Sequence, residues 1–244
     1  TAHGLQFMDP LSQDIPRSYY HPTGPAGLVF LNMTKAGRLH HAGLVGLGTG
    51  ALAAYGRPQT RFTFFEVDPG IVALAKNPVL FTYLQRSQAE VEIRIGDGRR
   101  LLTQHTGPAF DLIVLDAFSS DSIPIHLLTT EAVRMYIERL AERGVVLVHL
   151  SNRHLKLQLI VRGIAKELGL AGRENLDEPP PLKVQEWSED GKFPSYWVLL
   201  ARSEADFDFL GPDARWLKFM SPKEPDPVWT DDYSNILEVL HLGS

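Results

Sequence analysis

The chain has 244 residues, of which 44% are hydrophobic and 22% charged, a composition typical of a globular domain with a sizeable core. The net charge of −5 argues against a nucleic-acid partner, since there is no basic excess for phosphate groups, and it is compatible with a cationic substrate. The lack of cysteine excludes disulfides, thiolate metal ligands and a cysteine nucleophile. No apolar run approaches eighteen residues, so we expect no membrane span in this segment.

The first 27 residues are rich in proline, glycine and tyrosine and lack helical periodicity. We predict a short β-hairpin or extended arm there, with strands at 4–8 and 17–20, followed by a short helix over 28–35. The chain is accordingly divided into an N-terminal arm, residues 1–37, and one larger domain, residues 38–244.

Strand-like and helix-like runs alternate through the first part of the larger domain. The predicted strands are 42–46, 61–67, 91–95, 110–115 and 145–150, and the predicted helices are 50–55, 69–76, 99–104 and 130–142. The last two strands are almost entirely apolar, as strands buried on both faces of a parallel sheet must be. This alternation predicts an α/β fold with a doubly wound, Rossmann-like sheet.

The segment after residue 150 completes the sheet. We predict a helix over 155–168 and two further strands, 183–187 and 196–201, that form a hairpin around the turn Glu189-Asp190-Gly191. The sheet would then have seven strands, mostly parallel, with an antiparallel end. A short helix is expected to end the segment 231–240.

Four polar features fall at the carboxyl ends of successive predicted strands, where α/β sheets bind ligands. They are the glycine turn Gly46-Leu47-Gly48-Thr49-Gly50, Glu66, the turn Gly96-Asp97-Gly98, and Asp116. The glycines let the backbone turn sharply and approach a ligand closely, and a carboxylate about twenty residues further on can accept both hydroxyls of a ribose. The pattern therefore predicts a ligand that contains adenosine.

Each feature alone also has a structural explanation, namely a tight turn without a ligand, a helix cap or an ion pair with an arginine. Their occurrence at four successive strand ends favours the ligand. NAD is one alternative, because Gly46-x-Gly48-x-x-Ala51 also satisfies the dinucleotide fingerprint. Asp97 after the third strand and the antiparallel end of the sheet favour an S-adenosyl ligand, whose adenine amino group suits a carboxylate.

Five segments together resemble the spermidine synthase family of aminopropyltransferases. They are His3-Gly4 with Gln6, the glycine turn, Phe65-Glu66-Val67-Asp68, Gly96-Asp97-Gly98-Arg99, and the segment 110–116. The resemblance implies the class I S-adenosylmethionine-dependent methyltransferase fold with a small N-terminal β-hairpin region. It is weaker after residue 150, although 193–197 is similar to the family's late tyrosine-containing strand.

The resemblance also implies roles for single residues. Asp116 would be the catalytic carboxylate, Glu66 would bind the ribose, and Asp97 the adenine. The full set of expected donor-binding residues is Gln6, Gly46, Gly48, Thr49, Gly50, Glu66, Asp97 and Gly98. The donor would be S-adenosylmethionine or its decarboxylated form, the product S-adenosylhomocysteine or methylthioadenosine, and no metal would take part.

The substrate is expected to be a small cationic amine. Aromatic rings and carboxylates attract such cations. The candidate substrate-binding residues are Tyr20, Asp121, Tyr196, Asp231 and Asp232. His149, within a buried strand, is interpreted as a hydrogen-bonded core residue, and the adjoining segment 151–154 as a possible substrate contact. No histidine pair has metal-ligand spacing.

Two positions depart from the family pattern. The family has an aspartate where this chain has Thr49, and that aspartate holds the free amine of decarboxylated S-adenosylmethionine. A second family aspartate is replaced here by Ser119. Three functions therefore stay open: aminopropyl transfer to a polyamine, methyl transfer to a small molecule, and ligand sensing without catalysis.

Two stretches, 116–124 and 229–235, resemble bacterial proteins in which a spermidine synthase-like domain follows a transporter-like membrane region. This resemblance implies a cytoplasmic domain that is attached to a membrane region in the native protein. The family resemblance also implies a homodimer.

Overall fold

The fold is given by a computed structural model, which describes residues 4–118, 123–152, 155–220 and 225–240. Eight strands form one sheet in the order β3-β2-β1-β4-β5-β7-β6-β8. Their bounds are β1 His41–Val45, β2 Arg61–Glu66, β3 Glu90–Ile95, β4 Phe110–Leu115, β5 Leu140–His149, β6 Ala171–Asp177, β7 Ser195–Ala201 and β8 Leu217–Lys218. Strands β1 to β5 are parallel, and β7 runs antiparallel between β5 and β6. The predicted Rossmann-like, mostly parallel sheet is confirmed, with eight strands rather than seven.

Helices cover both faces of this sheet. The α-helices are α1 Pro25–Lys35, α2 Pro69–Ala75, α3 Tyr83–Arg86, α4 Gly98–Thr103, α5 Thr130–Arg139, α6 Leu157–Glu167 and α7 Val184–Glu189. Short 3₁₀ helices span Ala51–Tyr55, Ile125–Leu127, Pro181–Lys183, Glu204–Leu210 and Ile236–Val239.

The core consists of two layers, one on each face of the sheet. Because successive side chains of a strand point to opposite faces, Leu112 and Val114 of β4 lie in one layer, and Ile113 and Leu115 lie in the other. The first layer also contains Phe30 of α1, and the second contains the apolar faces of α5 and α6. Burial on both faces explains why the central strands are continuous apolar runs.

Helix α5 ends at Arg139 rather than at residue 142, and β5 begins directly afterwards. Leu140 pairs with Phe110 across an irregularity in the register between β4 and β5. Gly144 makes this close pairing possible, since a Cβ there would lie 2.8 Å from the Phe110 carbonyl oxygen. The guanidinium of Arg202 binds the carbonyl oxygens of Leu140 at 3.0 Å and Ala141 at 2.7 Å, which stabilises the junction.

The predicted strand 183–187 is wrong. That segment belongs to a 3₁₀ turn and helix α7, where no side chain is buried, so the alternating burial that defines a strand is missing. The partner of β7 is instead β6, whose sequence Ala-Gly-Arg-Glu-Asn-Leu-Asp carries few apolar residues. Only Gly172 and Asn175 of β6 are buried, so hydrophobic alternation gave no signal for it.

The N-terminal arm does not form the expected hairpin. Over residues 4–24 the only β pairing is a single bridge between Ser18 and Lys192. Side chains hold the arm instead: the Tyr83 hydroxyl donates to the carbonyl oxygens of Leu5 at 2.9 Å and of Ile15 at 3.2 Å. Within the described ranges, no helix combines the length and apolar character that crossing a membrane requires.

Candidate active site

The glycine turn brings the end of β1 against the end of β4. Gly46 has a φ of 99°, and its amide donates to the Phe65 carbonyl at 2.8 Å. A Cβ on Gly46 would lie only 2.3 Å from the carbonyl oxygen of Asp116, so a side chain is excluded there. Gly48 and Gly50 also have positive φ, at 52° and 79°. The turn therefore depends on glycine for both its conformation and its approach to Asp116.

Glu66 ends β2 beside this turn and is buried. Its Oε2 accepts the Leu47 amide at 2.9 Å, and its Oε1 accepts the Asp68 amide at 3.0 Å. Each carboxylate oxygen can accept two hydrogen bonds, so both keep an acceptor position for a ligand hydroxyl. The arrangement fits the ribose-binding role expected from the sequence.

Thr49 lies buried at the tip of the turn. Its hydroxyl oxygen has no hydrogen-bond partner among the described residues, which is unusual for a buried polar atom. The backbone of Gly4 covers it, since a Cβ on Gly4 would lie 2.5 Å from Thr49 Cγ2. The arm thus lies directly over the glycine turn.

Asp97 and Gly98 join β3 to α4. The Asp97 carboxylate caps α4 by accepting the Arg100 amide at 2.8 Å, and it contacts His126 Nε2 at 3.0 Å. Asp97 therefore has the structural role of a helix cap. Acceptor positions stay open on both of its oxygens. Gly98 packs on β1, where a Cβ would lie 2.5 Å from Val45 Cγ1.

Val67 was not singled out from the sequence as a binding residue. It follows Glu66 directly, and its side chain is 70% exposed. An exposed apolar side chain beside a candidate ribose site offers a surface for the flat face of a base. The sequence feature that could have identified Val67 is an apolar residue directly after Glu66 at the end of a strand.

Asp116 follows β4, and its carboxylate is largely enclosed. Its side chain is 8% exposed, and its amide donates to the Val45 carbonyl at 2.8 Å. The Tyr20 hydroxyl donates to Oδ2 at 2.7 Å, and His149 Nδ1 lies 2.7 Å from Oδ1. Burial, reinforced by the Asp116 charge, raises the pKa of Tyr20 well above its ordinary range, so the phenol stays a donor.

His149 is buried, as expected, but it does more than fill the core. Its ring is 2% exposed and stacks on Trp197 with centroids 4.1 Å apart. Its Nε2 lies 2.7 Å from the hydroxyl oxygen of Ser151, which also accepts the Tyr196 amide at 2.8 Å. Sequence reasoning missed the link to Asp116, although both residues end neighbouring parallel strands.

Gln6 is engaged in holding the arm. Its amide nitrogen donates to the Gln13 carbonyl and to the Thr82 hydroxyl, both at 2.7 Å. Its amide oxygen accepts the Thr82 backbone amide at 2.8 Å. The structure therefore gives Gln6 a structural function beside α3, and its ligand-binding role stays a prediction.

Tyr196 makes its side-chain hydrogen bond away from Asp116, and its expected substrate-binding role stays a prediction. Its hydroxyl donates to Glu174. Burial is the main cause that raises the pKa of Tyr196, and the neighbouring Glu174 carboxylate raises it further. Trp197, the next residue, packs in the layer that contains Tyr20. Because neighbouring side chains of a strand point to opposite faces, the Tyr196 ring lies on the other face of the sheet.

Asp231 forms an ion pair with Arg99, and its expected substrate-binding role stays a prediction. Its two oxygens accept from Arg99 at 2.7 and 2.6 Å, and the Thr129 hydroxyl donates to it at 2.7 Å. The Arg99 guanidinium holds the pKa of Asp231 below its usual value. Asp232 is exposed on the surface. Asp121 and Ser119 lie outside the described residues.

In the described part of the chain, no group of three or more histidine, aspartate or glutamate side chains is arranged to hold a metal ion.

The sequence and the fold of this chain were each compared with those of known proteins. No family model matches the chain. A polyamine aminopropyltransferase from Vibrio vulnificus strain CMCP6 is 29% identical over 146 residues, which are 59% of this chain and 46% of that protein. The chain thus spans about half the length of the curated relative that it matches.

Solved structures share the fold at low sequence identity. A probable spermidine synthase from Corynebacterium glutamicum superposes with a TM-score of 0.51 at 17% identity, over 78% of this chain and 74% of that one. The O-methyltransferase TomG from Streptomyces achromogenes, in complex with SAM, gives 0.51 at 14% identity, over 73% and 80%. A spermidine synthase in complex with the transition-state analogue AdoDATO gives 0.50 at 13% identity, over 80% and 63%. The chain therefore has the class I S-adenosylmethionine-dependent methyltransferase fold, and its resemblance to the spermidine synthases is confirmed.

Proposed function

We propose that this chain transfers an alkyl group from an S-adenosyl sulfonium donor to an amine, with Asp116 as the base. The more specific proposal is aminopropyl transfer from decarboxylated S-adenosylmethionine to a polyamine. The observation that carries the general proposal, alkyl transfer to an amine, is the position of Asp116. Its backbone meets Gly46 of the glycine turn, and its enclosed carboxylate is held by Tyr20 and His149.

The residues at this edge suit an S-adenosyl donor. Glu66 keeps two acceptor positions for the ribose hydroxyls, and Asp97 keeps one on each oxygen for the adenine amino group. Exposed Val67 offers an apolar surface to the base, and the Thr49 hydroxyl at the turn has no hydrogen-bond partner among the described residues. When bound, the donor supplies a carbon that is activated by an adjacent sulfonium.

Asp116 addresses the main obstacle on the acceptor side. An amine with a pKa near 10.4 is charged at pH 7, and removing its proton costs about 5 kcal/mol. A fixed carboxylate binds the ammonium and takes that proton as the amine attacks. Tyr20 and His149 each use one acceptor position of the carboxylate, so one position per oxygen is left for the amine.

Two relatives support the aminopropyl version. The Vibrio vulnificus relative is a polyamine aminopropyltransferase, and one structural neighbour is a spermidine synthase with a bound transition-state analogue. The sequence similarity extends over 59% of this chain. The negative net charge is also compatible with a polycationic acceptor.

Methyl transfer from intact S-adenosylmethionine is the second candidate, and Thr49 is the observation that favours it. A neutral side chain there does not repel the carboxylate of the intact donor, whereas the family's aspartate would. Ligand sensing without turnover is the third hypothesis. The homodimer, the membrane attachment, the cytoplasmic location and the division at residue 37 stay predictions.

The test is to incubate the full chain with each donor and a panel of polyamines and small-molecule acceptors, and to identify products by mass spectrometry. We expect an aminopropyl adduct of a polyamine. Asp116→Asn should lower kcat about 100-fold or more while donor affinity stays within about twofold, because only the proton acceptor is lost. A methylated product would replace the aminopropyl version, and donor binding without any product would favour the sensing hypothesis.

A further inference from the structure

A continuous chain of hydrogen bonds runs from β7 to Asp116. The Tyr196 amide lies 2.8 Å from the Ser151 hydroxyl oxygen, which lies 2.7 Å from His149 Nε2. On the other side of the ring, Nδ1 lies 2.7 Å from Asp116 Oδ1. Each distance is short enough for a well-formed hydrogen bond.

The direction of each bond follows from the groups themselves. The Tyr196 amide can only donate, so the Ser151 oxygen accepts there and its own proton is available for His149 Nε2. A carboxylate can only accept, so the proton between His149 and Asp116 belongs to Nδ1. The Tyr20 hydroxyl donates to the other oxygen of the carboxylate. The three linked hydrogen bonds therefore all donate in the direction of Asp116.

The His149 ring cannot turn away from this arrangement. It lies parallel to Trp197, with 5° between the ring planes. The Phe118 ring approaches it edge-on at 4.8 Å, and the Tyr19 ring lies 5.0 Å from it. With 2% of the side chain exposed, the ring is closed to a substrate, so it acts through Asp116.

We propose that His149 is the positioning residue for Asp116, held as the Nδ1–H tautomer between Ser151 and the carboxylate. This inference rests on the proposed function and deepens it. The hydrogen bonds connect the same three residue types as a Ser-His-Asp triad, but the group that meets the substrate is the carboxylate rather than the serine hydroxyl. Here the carboxylate, rather than the hydroxyl, lies against the glycine turn, so His149 fixes the oxygen positions that the acceptor amine meets.

The tautomer is tested without any assay of activity. In the ¹⁵N-labelled 244-residue chain, long-range ¹H–¹⁵N spectra should show the His149 imidazole as one Nδ1–H tautomer near pH 7.5. In Asp116→Asn the Tyr20 hydroxyl still donates to the amide oxygen, which turns the amide nitrogen, a donor, toward Nδ1. We therefore expect the Nε2–H form to appear in that variant. An Nε2–H ring in the unaltered protein, or spectra that Asp116→Asn leaves unchanged, would overturn the proposal.

The effect on turnover is tested with two substitutions at the same position. His149→Phe keeps a stacked ring but removes the donor, and we expect kcat to fall at least about tenfold with donor affinity within about twofold. His149→Asn places an amide N–H near the position of Nδ1, and we expect it to recover activity to within about threefold of the unaltered enzyme. Equal losses in two folded variants would show a packing role only.

The two proposals fail in different ways. If the unaltered protein makes no product with either donor, the proposed function fails, while the tautomer spectra still decide the position of the His149 proton. If product forms and the tautomer is Nε2–H, only the inference about His149 fails. Thermal unfolding of His149→Phe and His149→Asn identifies a loss caused by misfolding, and the His149 spectra with and without Asp116→Asn then decide the proposal.

Discussion

At the scale of single residues, carboxylates at the same sheet edge differ in what is left of their binding capacity. Glu66 and Asp116 each accept two hydrogen bonds and are enclosed. Asp231 lies 44% exposed and is matched by a bidentate arginine. The first two therefore retain capacity for a ligand, whereas Asp231 is already neutralised.

Thr49 provides the first prediction, about donor choice. Thr49→Asp should raise the affinity for decarboxylated S-adenosylmethionine over the intact donor by about tenfold or more, because a buried charge attracts the free amine and repels the carboxylate. Calorimetric titration with both donors measures the ratio. Thr49→Asn, which is similar in size to aspartate but uncharged, is the matched control, and an equal change in both variants would contradict the electrostatic explanation.

The sequence predicted the carboxylates that follow strands, because the end of a parallel strand fixes where the next side chain lies. It did not predict the ion pair of Asp231, because the partner Arg99 is 132 positions away along the chain. It also did not predict how Gln6 is used, since the bonding partners Gln13 and Thr82 are brought to it only by the folded arm.

At the scale of elements, the contact between the glycine turn and β4 gives a stability prediction. Gly46→Ala should lower the free energy of unfolding by at least about 2 kcal/mol more than Gly37→Ala. Both glycines have positive φ, at 99° and 66°, which costs any other residue about 1–2 kcal/mol. A Cβ on Gly46 would lie 2.3 Å from the Asp116 carbonyl oxygen, whereas no atom of the described residues lies within 4 Å of a Cβ on Gly37.

Urea denaturation of the two variants measures this difference. Equal losses would mean that β4 moves away freely and that the turn does not fix Asp116. Retained activity in Gly46→Ala would contradict the same point.

The Arg99–Asp231 pair gives a pH-dependent prediction, because it ties the segment 225–240 to α4. Asp231→Asn should lower stability at pH 7 by about 1 kcal/mol, a value limited by solvent screening of a partly exposed pair. Arg99 lowers the pKa of Asp231 from 3.8, so the contribution is present above that value and is lost as the pH falls through the lowered pKa. Thermal unfolding measured from pH 7 downward tests the trend.

Asp232→Asn is the matched control for this pair, since the neighbouring carboxylate is exposed. It should leave stability unchanged within about 0.5 kcal/mol at every pH. A pH-independent loss in Asp231→Asn would show that shape, rather than charge, holds the segment.

The elements that sequence analysis located best are those with strong periodicity. β4 is apolar at every position except Asp111 and was placed at its observed bounds. β6 was missed because it lies between two antiparallel neighbours and carries Arg173, Glu174 and Asn175 in its middle. Its strand conformation comes from pairing with β7, which no local pattern records.

At the scale of the whole molecule, the arm contacts both the glycine turn after β1 and Asp116 after β4, at the edge of the sheet where the parallel strands end. Gly4 lies over Thr49 at its beginning, and Tyr20 reaches Asp116 near its end. Arg17 fastens the segment between them to Asp190, with 2.5 Å between Nη1 and Oδ1. The arm therefore belongs to the candidate site even without a hairpin.

The central claim is that this edge of the sheet binds an S-adenosyl donor, and calorimetric titration with intact and decarboxylated S-adenosylmethionine tests it most directly. We expect saturable binding of at least one donor, tighter for the decarboxylated form. Glu66→Gln should weaken that binding about tenfold or more, because the charged acceptor for the ribose hydroxyls is lost. Binding of neither donor, or binding that Glu66→Gln leaves unchanged, would contradict the account.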